Sequence, residues 1–144
     1  MTSYADFDDN RVKHLEMIQS VISRLGTDSF LIKGWAVTVS GAFVGFAIGE
    51  KSWGLALAGV VPALLFWGLD AYFLRAERHF RALHEAVRTS EAGVPPFFMA
   101  ATSSEFKPSS PKCSWPKALI SWTLVLFYGT LVVSALIVAA ILCN

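Results

Sequence analysis

Two charged side chains, those of Lys33 and Asp70, lie within long apolar stretches that cover residues 30–49 and 53–74. Only three residues separate the stretches, so helices built from them would be antiparallel and would place both charges at a similar depth. An ion pair inside a membrane lowers the cost of burying each charge. The pattern therefore has two interpretations: a polar gate or ion site, or a boundary pair in which Lys33 extends toward the lipid headgroups.

Four arginines form a second charged feature, a basic collar that directly follows the second apolar stretch: Arg75, Arg78, Arg81 and Arg88. Clustered arginines of this kind can bind an anionic ligand, either a lipid headgroup or a nucleotide-like messenger. The alternative, which we favour, is a solvated collar of positive charge in which Glu77 and Glu85 are local partners.

Three hydroxyl groups share one helical face of the last apolar stretch, residues 118–143: those of Thr123, Thr130 and Ser134. They could line a narrow polar path. Alternatively, they could bond to backbone carbonyls of their own helix, which is the commoner use of such residues.

The sequence has no pattern typical of catalysis or of metal binding. His79 and His84 are five residues apart, which places them on different faces of a helix, and His14 is remote in sequence. The glycines lack the Lys-Ser/Thr ending of a phosphate-binding loop, and no serine lies in a nucleophile elbow. Cys113 and Cys143 lie at opposite ends of an apolar stretch and cannot pair within one chain. We therefore expect a non-enzyme without a cofactor or metal.

Composition indicates where the chain resides. It has 144 residues, of which 54% are hydrophobic and 16% charged, and its mean hydropathy is +0.51. Each apolar stretch has about the 20 residues that the hydrocarbon core of a bilayer requires of a helix. The net charge of +1 gives no general attraction to nucleic acid. These features predict an all-α integral membrane protein with three transmembrane helices and the lipid bilayer as its main partner.

Periodicity extends the prediction beyond the hairpin. Apolar residues recur at three- and four-residue steps between residues 12 and 25, as in an amphipathic helix, and Gly26 is expected to end that helix. This helix either lies on the membrane surface or, as we favour, packs on a partner helix. The apolar stripe that continues past residue 74 is its expected partner, and Pro62 is expected to bend the second span. Residues 94–101 are apolar enough to contact the membrane or the bundle.

The predicted units follow one another along the chain. They are a cytoplasmic amphipathic helix (1–28), a first transmembrane helix (29–50), a second that continues into a cytoplasmic helix (53–88), a cytoplasmic Pro/Ser-rich loop (89–116) and a third transmembrane helix (117–143). Basic residues flank the spans on one side, so the positive-inside rule places the amino terminus in the cytoplasm and the carboxyl terminus outside.

Small residues mark the expected helix-packing surface: Gly34, Gly41, Gly45 and Gly49 on the first span, and Gly54, Ala58, Gly59 and Ala63 on the second. Small residues allow helices to approach closely in lipid, where no hydrophobic effect drives their association. We expect part of this surface to be used within the hairpin, and we expect the chain to form a homo-oligomer.

Four sequence strings carry a resemblance: HLEMIQ (14–19), SFLIKGW (29–35), FWGLDAYFLR (66–75) and ERHFR (77–81). They resemble a family of small, uncharacterised bacterial membrane proteins over roughly residues 11–88. The resemblance implies a bacterial inner membrane and marks five motif positions: Lys33, Trp35, Trp67, Asp70 and Arg75. The layout, though not the motif, is similar to that of small transmembrane effectors of antiviral defence systems.

Together these features favour an oligomeric channel or membrane-permeabilising effector that is gated from the cytoplasm. The first alternative is a membrane scaffold or anchor subunit that recruits a cytoplasmic protein. A small dimeric transporter ranks last, because a transporter is expected to carry a charge near mid-span and Asp70 is peripheral.

Overall fold

The structure, a computed structural model, describes residues 4–89, 94–95, 97–101 and 114–143, with side chains from residue 9 onward. These residues form five helices: α1 (Tyr4–Gly49), α2 (Trp53–Ala58), α3 (Val60–Arg88), α4 (Trp115–Leu119) and α5 (Trp122–Cys143). Three helical segments within the described ranges are long and apolar enough to cross a membrane: Asp9–Gly49, Trp53–Arg88 and Trp122–Cys143. The all-α class and the three helices of spanning length are therefore confirmed.

The first helix differs from the prediction because it does not end at Gly26. α1 is one helix of 46 residues that includes both the amphipathic stretch and the first span. Gly26 does not adopt the left-handed conformation that ends a helix. The Thr27 hydroxyl donates to the carbonyl of Ser23 instead of capping a new helix (3.1 Å). Buried contacts on both sides of Gly26, at Ile18 and Ala36, offset the cost of a glycine in the helix interior, about 1 kcal/mol.

A tight turn joins α1 to α2. Lys51 has a φ of 50°, the left-handed value that allows the chain to reverse direction. The amide of Ser52 donates to the carbonyl of Ala47 (3.0 Å) and that of Lys51 to the carbonyl of Ile48 (3.4 Å). This pair of bonds is the Schellman arrangement, which satisfies carbonyls at a helix end. We call this end of the bundle the turn end, and the other the far end.

The second span runs from Trp53 to Arg88 as predicted, with a local disturbance at Gly59, where α2 ends and α3 begins. Gly59 keeps helical dihedral angles (φ −65°, ψ −17°), and its amide still donates to the carbonyl of Leu55 (3.2 Å). Pro62 lies three residues later and has no amide to donate to the carbonyl of Ala58. The expected disturbance near Ala58 is therefore a one-residue break in the helix.

The close contact within the hairpin is made at that break. A Cβ added at Gly59 would lie 2.8 Å from the Cβ of Phe43. Ala47, Ala56 and Ala139 form a further buried cluster near the turn end. The small residues of the first span do not serve this contact: a Cβ added at Gly34, Gly41, Gly45 or Gly49 would meet no atom within 4 Å. Of the small-residue surface expected to pack within the hairpin, Gly59 on the second span therefore makes the close contact, and the glycines of the first span do not.

The third span begins later than residue 117. α4 ends at Leu119, and Ile120 and Ser121 separate it from α5. Side chains of α3 hold this break, because the indole of Trp67 donates to the carbonyl of Leu119 (3.1 Å) and Arg78 donates to that of Lys117 (3.0 Å).

The far end of the bundle contains a second apolar core, which we call the far-end cluster: Ile18, Leu83, Val87 and Ala101, with Leu15, Ile22, Phe80, Val94, Phe98 and Met99 packed against it. The expected pairing of the α1 stripe with the α3 stripe is therefore confirmed. The described residues of the stretch 94–101, which we call the strap, contact the bundle through Val94, Phe98, Met99 and Ala101 of this cluster.

Replacing Gly59 with alanine should destabilise the hairpin. The new Cβ would lie 2.8 Å from the Phe43 Cβ and 3.3 Å from the Ala56 carbonyl oxygen, so α1 and the α2–α3 break must separate. We expect the free energy of unfolding to fall by about 1–3 kcal/mol. Thermal unfolding of the detergent-purified protein, followed by far-ultraviolet circular dichroism, measures this loss.

Gly26→Ala is the matched control, because a Cβ at Gly26 would meet no atom within 4 Å. Alanine favours a helix over glycine by about 1 kcal/mol, so this variant should be as stable as the wild type or more stable. Equal stability of the Gly59→Ala and Gly26→Ala variants would refute the close contact.

Candidate functional site

A polar cluster within the bundle joins three helices. Ser29 and Lys33 come from α1, Asp70 from α3 and Tyr128 from α5. Residues four apart lie on the same face of a helix, so Ser29 and Lys33 both face α3. We call these four residues the polar cluster.

The carboxylate of Asp70 is the centre of the cluster. Its side chain has no solvent exposure, whereas that of Lys33 is 25% exposed. The Lys33 ammonium lies 2.6 Å from Asp70 Oδ2. The hydroxyl of Ser29 donates to Asp70 Oδ1 (2.5 Å) and accepts a hydrogen bond from Lys33 Nζ (2.8 Å). The structure thus brings together the two charges that the sequence placed at similar depth.

Tyr128 extends the cluster to α5. Its hydroxyl donates to Asp70 Oδ2 (3.3 Å), and the residue is completely buried. Its ring stacks on that of Trp67, with centroids 6.2 Å apart and planes 4° apart. Ala36, Ala71, Ala118 and Leu124 pack around it in an apolar core. One carboxylate therefore accepts hydrogen bonds from two other helices.

Sequence reasoning missed two members of the cluster. The signal for Ser29 is its position four residues before Lys33, which places both on one face of a helix. Tyr128 is the only tyrosine of residues 118–143, and a buried tyrosine hydroxyl needs a polar partner. That partner could not be identified without knowing how α5 packs.

The electrostatics of the cluster follow from its burial. An isolated carboxylate in apolar surroundings is strongly destabilising, and pairing and hydrogen bonding offset that cost. Asp70 has three polar partners on α1 and α5, so the separation of either helix from α3 would leave acceptors unsatisfied. The cluster can therefore hold the three helices together or, when its partners exchange, release them.

The arginines of the basic collar each contact groups of this chain. Arg81 pairs with Glu77 (2.6 Å) and Arg88 with Glu85 (2.5 Å). Arg75 lies over the ring of Trp115, 5.3 Å from its centroid. Arg78 donates to the Ser121 hydroxyl (3.3 Å) as well as to the Lys117 carbonyl. These contacts match the interpretation in which the collar arginines have partners within this chain.

The hydroxyls of the third span bond locally. Thr130 donates to the carbonyl of Leu126 (2.7 Å) and Ser134 to that of Leu131 (2.8 Å), and both residues are exposed on the outside of the chain. Thr123 lies 3.5 Å from the Ser121 hydroxyl. Of the two alternatives, bonding to the helix backbone is the one that the structure shows for Thr130 and Ser134.

The small residues predicted for helix packing are not gathered into one contact. Gly34, Gly41, Gly45 and Gly49 are exposed along α1, and Gly54 approaches only the Ser52 hydroxyl, at 3.9 Å. Ala58 is half-buried beside the break at Gly59. A row of small residues on α1 therefore faces away from the rest of the chain.

A second polar contact fastens the strap. His14 is 4% exposed, and its Nε2 donates to the carbonyl of Phe98 (2.9 Å). Arg11 donates through Nε to the carbonyl of Val87 (3.1 Å) and through Nη2 to that of Arg88, which satisfies the end of α3. His79 bonds to the carbonyl of Arg75 within its own helix. Among the described residues, no group of three histidine, cysteine or acidic residues is placed to hold a metal.

Comparison with models of protein families, with curated proteins and with solved structures gave no match to this chain.

Replacing Tyr128 with phenylalanine keeps the ring on Trp67 and removes the hydroxyl that Asp70 accepts. We expect the free energy of unfolding to fall by about 1–3 kcal/mol, as for a hydrogen bond to a charged group. Asp70→Asn, which leaves Lys33 without its counter-charge, should cost about 3–5 kcal/mol. Thermal unfolding of the two single variants and of the double variant measures their coupling.

The double variant should lose less stability than the two single losses added together, by about 1 kcal/mol or more, because both changes remove the same bond. Thr130→Val is the control, since its hydroxyl bonds only to its own helix. Strict additivity of Tyr128→Phe and Asp70→Asn would show that the two side chains do not interact.

His14→Ala should loosen the strap. Losing a hydrogen bond of about 1.4 kcal/mol raises the population of the detached strap roughly tenfold, and proteolysis follows that population when opening is fast. Cleavage by chymotrypsin at Phe97 and Phe98, followed by mass spectrometry, measures it. His14→Gln retains an N–H donor and should be cleaved more slowly than His14→Ala. Wild-type cleavage rates in His14→Ala would contradict the role of this contact.

Proposed function

We propose that the chain is a multi-pass protein of the bacterial inner membrane that assembles with copies of itself and acts as a channel or membrane-permeabilising effector. Its amino terminus and residues 75–116 lie in the cytoplasm, and the carboxyl terminus lies outside. Three apolar helices of spanning length support membrane insertion. The distribution of basic residues supports the orientation, and the family resemblance supports the inner membrane.

The observation that carries a gating role is the continuity of α1 and α3. α1 runs without a break from Ile18 in the far-end cluster to Lys33 in the polar cluster, and α3 runs from Leu83 to Asp70. Fifteen residues of helix between Ile18 and Lys33 correspond to about 22 Å. Because a helix is stiff over this length, a partner or ligand that displaces the cytoplasmic ends also strains the ion pair.

Self-assembly supplies the path that one chain lacks. Within a single chain the Asp70 carboxylate and its partners fill the space between the three helices. The exposed small residues Gly34, Gly41 and Gly45 form a face on which the α1 helix of a second copy could pack closely. In this proposal the pore lies between copies, and the polar cluster holds each copy in its closed form.

A scaffold or anchor role is the second candidate, and one observation favours it. Val12 and Met17, on the cytoplasmic part of α1, are each 46% exposed. A groove of about 410 Å³ runs beside Val12, Leu15 and Glu16. An apolar segment of a cytoplasmic protein would fit a surface of this kind.

Ion flux separates the two candidates. Purified protein in liposomes should release a trapped fluorescent ion indicator, and the detergent-solubilised particle should have the mass of several chains. Gly45→Leu should lower that mass and abolish flux, because a large side chain on the small-residue face blocks close packing. Gly26→Leu is the matched control, as Gly26 is also exposed on α1 but lies outside the apolar stretch.

The wild type and Gly26→Leu should behave alike in both measurements. A helical, monodisperse protein that gives no flux and co-purifies with a soluble partner would refute the channel and favour the scaffold.

A further inference from the structure

We propose that the oxygen atoms of Ser29, Asp70 and Tyr128 form a binding site for a monovalent inorganic cation, and that the Lys33 ammonium is a tethered competitor for that site. The inference deepens the proposed function, since it names the ligand whose binding would displace Lys33 and release the polar cluster that holds each copy closed. Any role of the cation in transport rests on the proposed function, whereas binding of the cation does not, because binding can be measured without flux.

The first support is the environment of the ammonium group. Lys33 Nζ lies 2.6 Å from Asp70 Oδ2 and 2.8 Å from the Ser29 hydroxyl oxygen. Asp70 Oδ2 also accepts a hydrogen bond from the Tyr128 hydroxyl, at 3.3 Å. The Tyr128 oxygen keeps lone pairs that are free to coordinate a cation. A positive charge surrounded by hydroxyl and carboxylate oxygens resembles a dehydrated alkali cation in a protein site, where oxygens replace water.

The second support is the difference in exposure between the two charges. Asp70 is completely buried, while the Lys33 side chain is 25% exposed and lies at the edge of the apolar stretch. A lysine at such an edge can extend its ammonium toward water. Lys33 can therefore leave the site, whereas Asp70 cannot.

Charge balance then selects the class of ligand. When Lys33 leaves, a single negative charge remains in an apolar core, and it must be neutralised. The polar partners of Asp70 in the described part of the chain are Ser29, Lys33 and Tyr128, so no second carboxylate is available. A monovalent cation restores neutrality, whereas a divalent cation would leave one positive charge buried.

A third observation extends the site toward the turn end. Ser40 lies seven residues after Lys33, on the same face of α1 and about 10 Å farther along it. Ser40 is 4% exposed, and its hydroxyl has no hydrogen-bond partner among the described residues. A buried hydroxyl without a partner is unusual, and here it adds an unsatisfied oxygen to the face of α1 that carries the polar cluster.

Competition predicts that the cation controls the accessibility of Lys33 in the wild type. The full-length protein in detergent is treated with a water-soluble amine-acylating reagent in NaCl or KCl, with choline chloride keeping the ionic strength constant. We expect acylation of Lys33, measured by peptide mass spectrometry, to rise at least threefold with the alkali cation. Lys117 is the internal control, because it is exposed and outside the cluster.

Removing the competitor should strengthen binding. Lys33→Met keeps the length of the side chain without its charge, so NaCl or KCl should stabilise this variant against heat while choline chloride does not. At 100 times the dissociation constant the thermal midpoint should rise by roughly 5–10 °C. Adding Asp70→Asn should abolish the effect. Lys33→Gln replaces Lys33→Met should the latter fail to fold, and the acylation experiment needs neither variant.

The outcomes separate the site from the function. Equal Lys33 acylation in NaCl, KCl and choline chloride would overturn the proposal. So would Lys33 variants that are stabilised by lowering the pH but not by NaCl or KCl, because a proton would then neutralise Asp70 in place of a metal cation. Cation-dependent acylation in a protein that gives no flux would leave the site intact and refute the channel.

Discussion

The burial of one carboxylate constrains the whole molecule. Asp70 has no exposure to solvent, yet it lies beside a core of apolar side chains. A charge in that position is tolerated only when it is paired and its oxygens are bonded. Lys33, Ser29 and Tyr128 supply those bonds, and each fixes the rotation of its own helix. The faces that α1 and α5 turn toward α3 are therefore set by this requirement more than by apolar contacts, because apolar contacts are not directional.

The two ends of the bundle are built differently. At the turn end, α1 packs closely against Gly59, between α2 and α3, and against a cluster of alanines. The tight turn restricts how α1 and α2 can be placed relative to each other. At the far end, large side chains of α1, α3 and the strap form a core like that of a water-soluble helical pair. The polar cluster lies between the two. The far-end core and the polar cluster share α1 and α3, so mechanical coupling between them needs no additional element.

The outer surface agrees with the proposed lipid environment. Phe30, Leu65 and Trp122 are 75%, 70% and 77% exposed, and many other large apolar side chains are exposed beside them. Contiguous apolar surface of this extent is typical of contact with lipid or with other subunits. The small-residue face of α1 differs from these large side chains, because its glycines would let a second helix approach closely.

The sequence by itself determined the class of the protein. Three apolar stretches of spanning length, the hairpin and the pairing of the two amphipathic stripes follow from composition and periodicity, which depend on neighbours along the chain. The pairing of Lys33 with Asp70 was also predictable, since a three-residue link between the two spans fixes the relative depth of the two charges. Two helix boundaries, the end at Gly26 and the unbroken third span from residue 117, are predicted wrongly for the same reason. Local propensity favours ending a helix at Gly26 and continuing one through Ile120 and Ser121, and in both places contacts from α3 outweigh it. The tertiary structure alone decided that Tyr128 and Ser29 complete the environment of Asp70. It also decided which of the small residues indicated by the sequence makes the close contact, namely Gly59 and not the glycines of α1. Both depend on how each helix is rotated about its axis, and that rotation is set by which groups can satisfy a buried charge across helices distant in sequence.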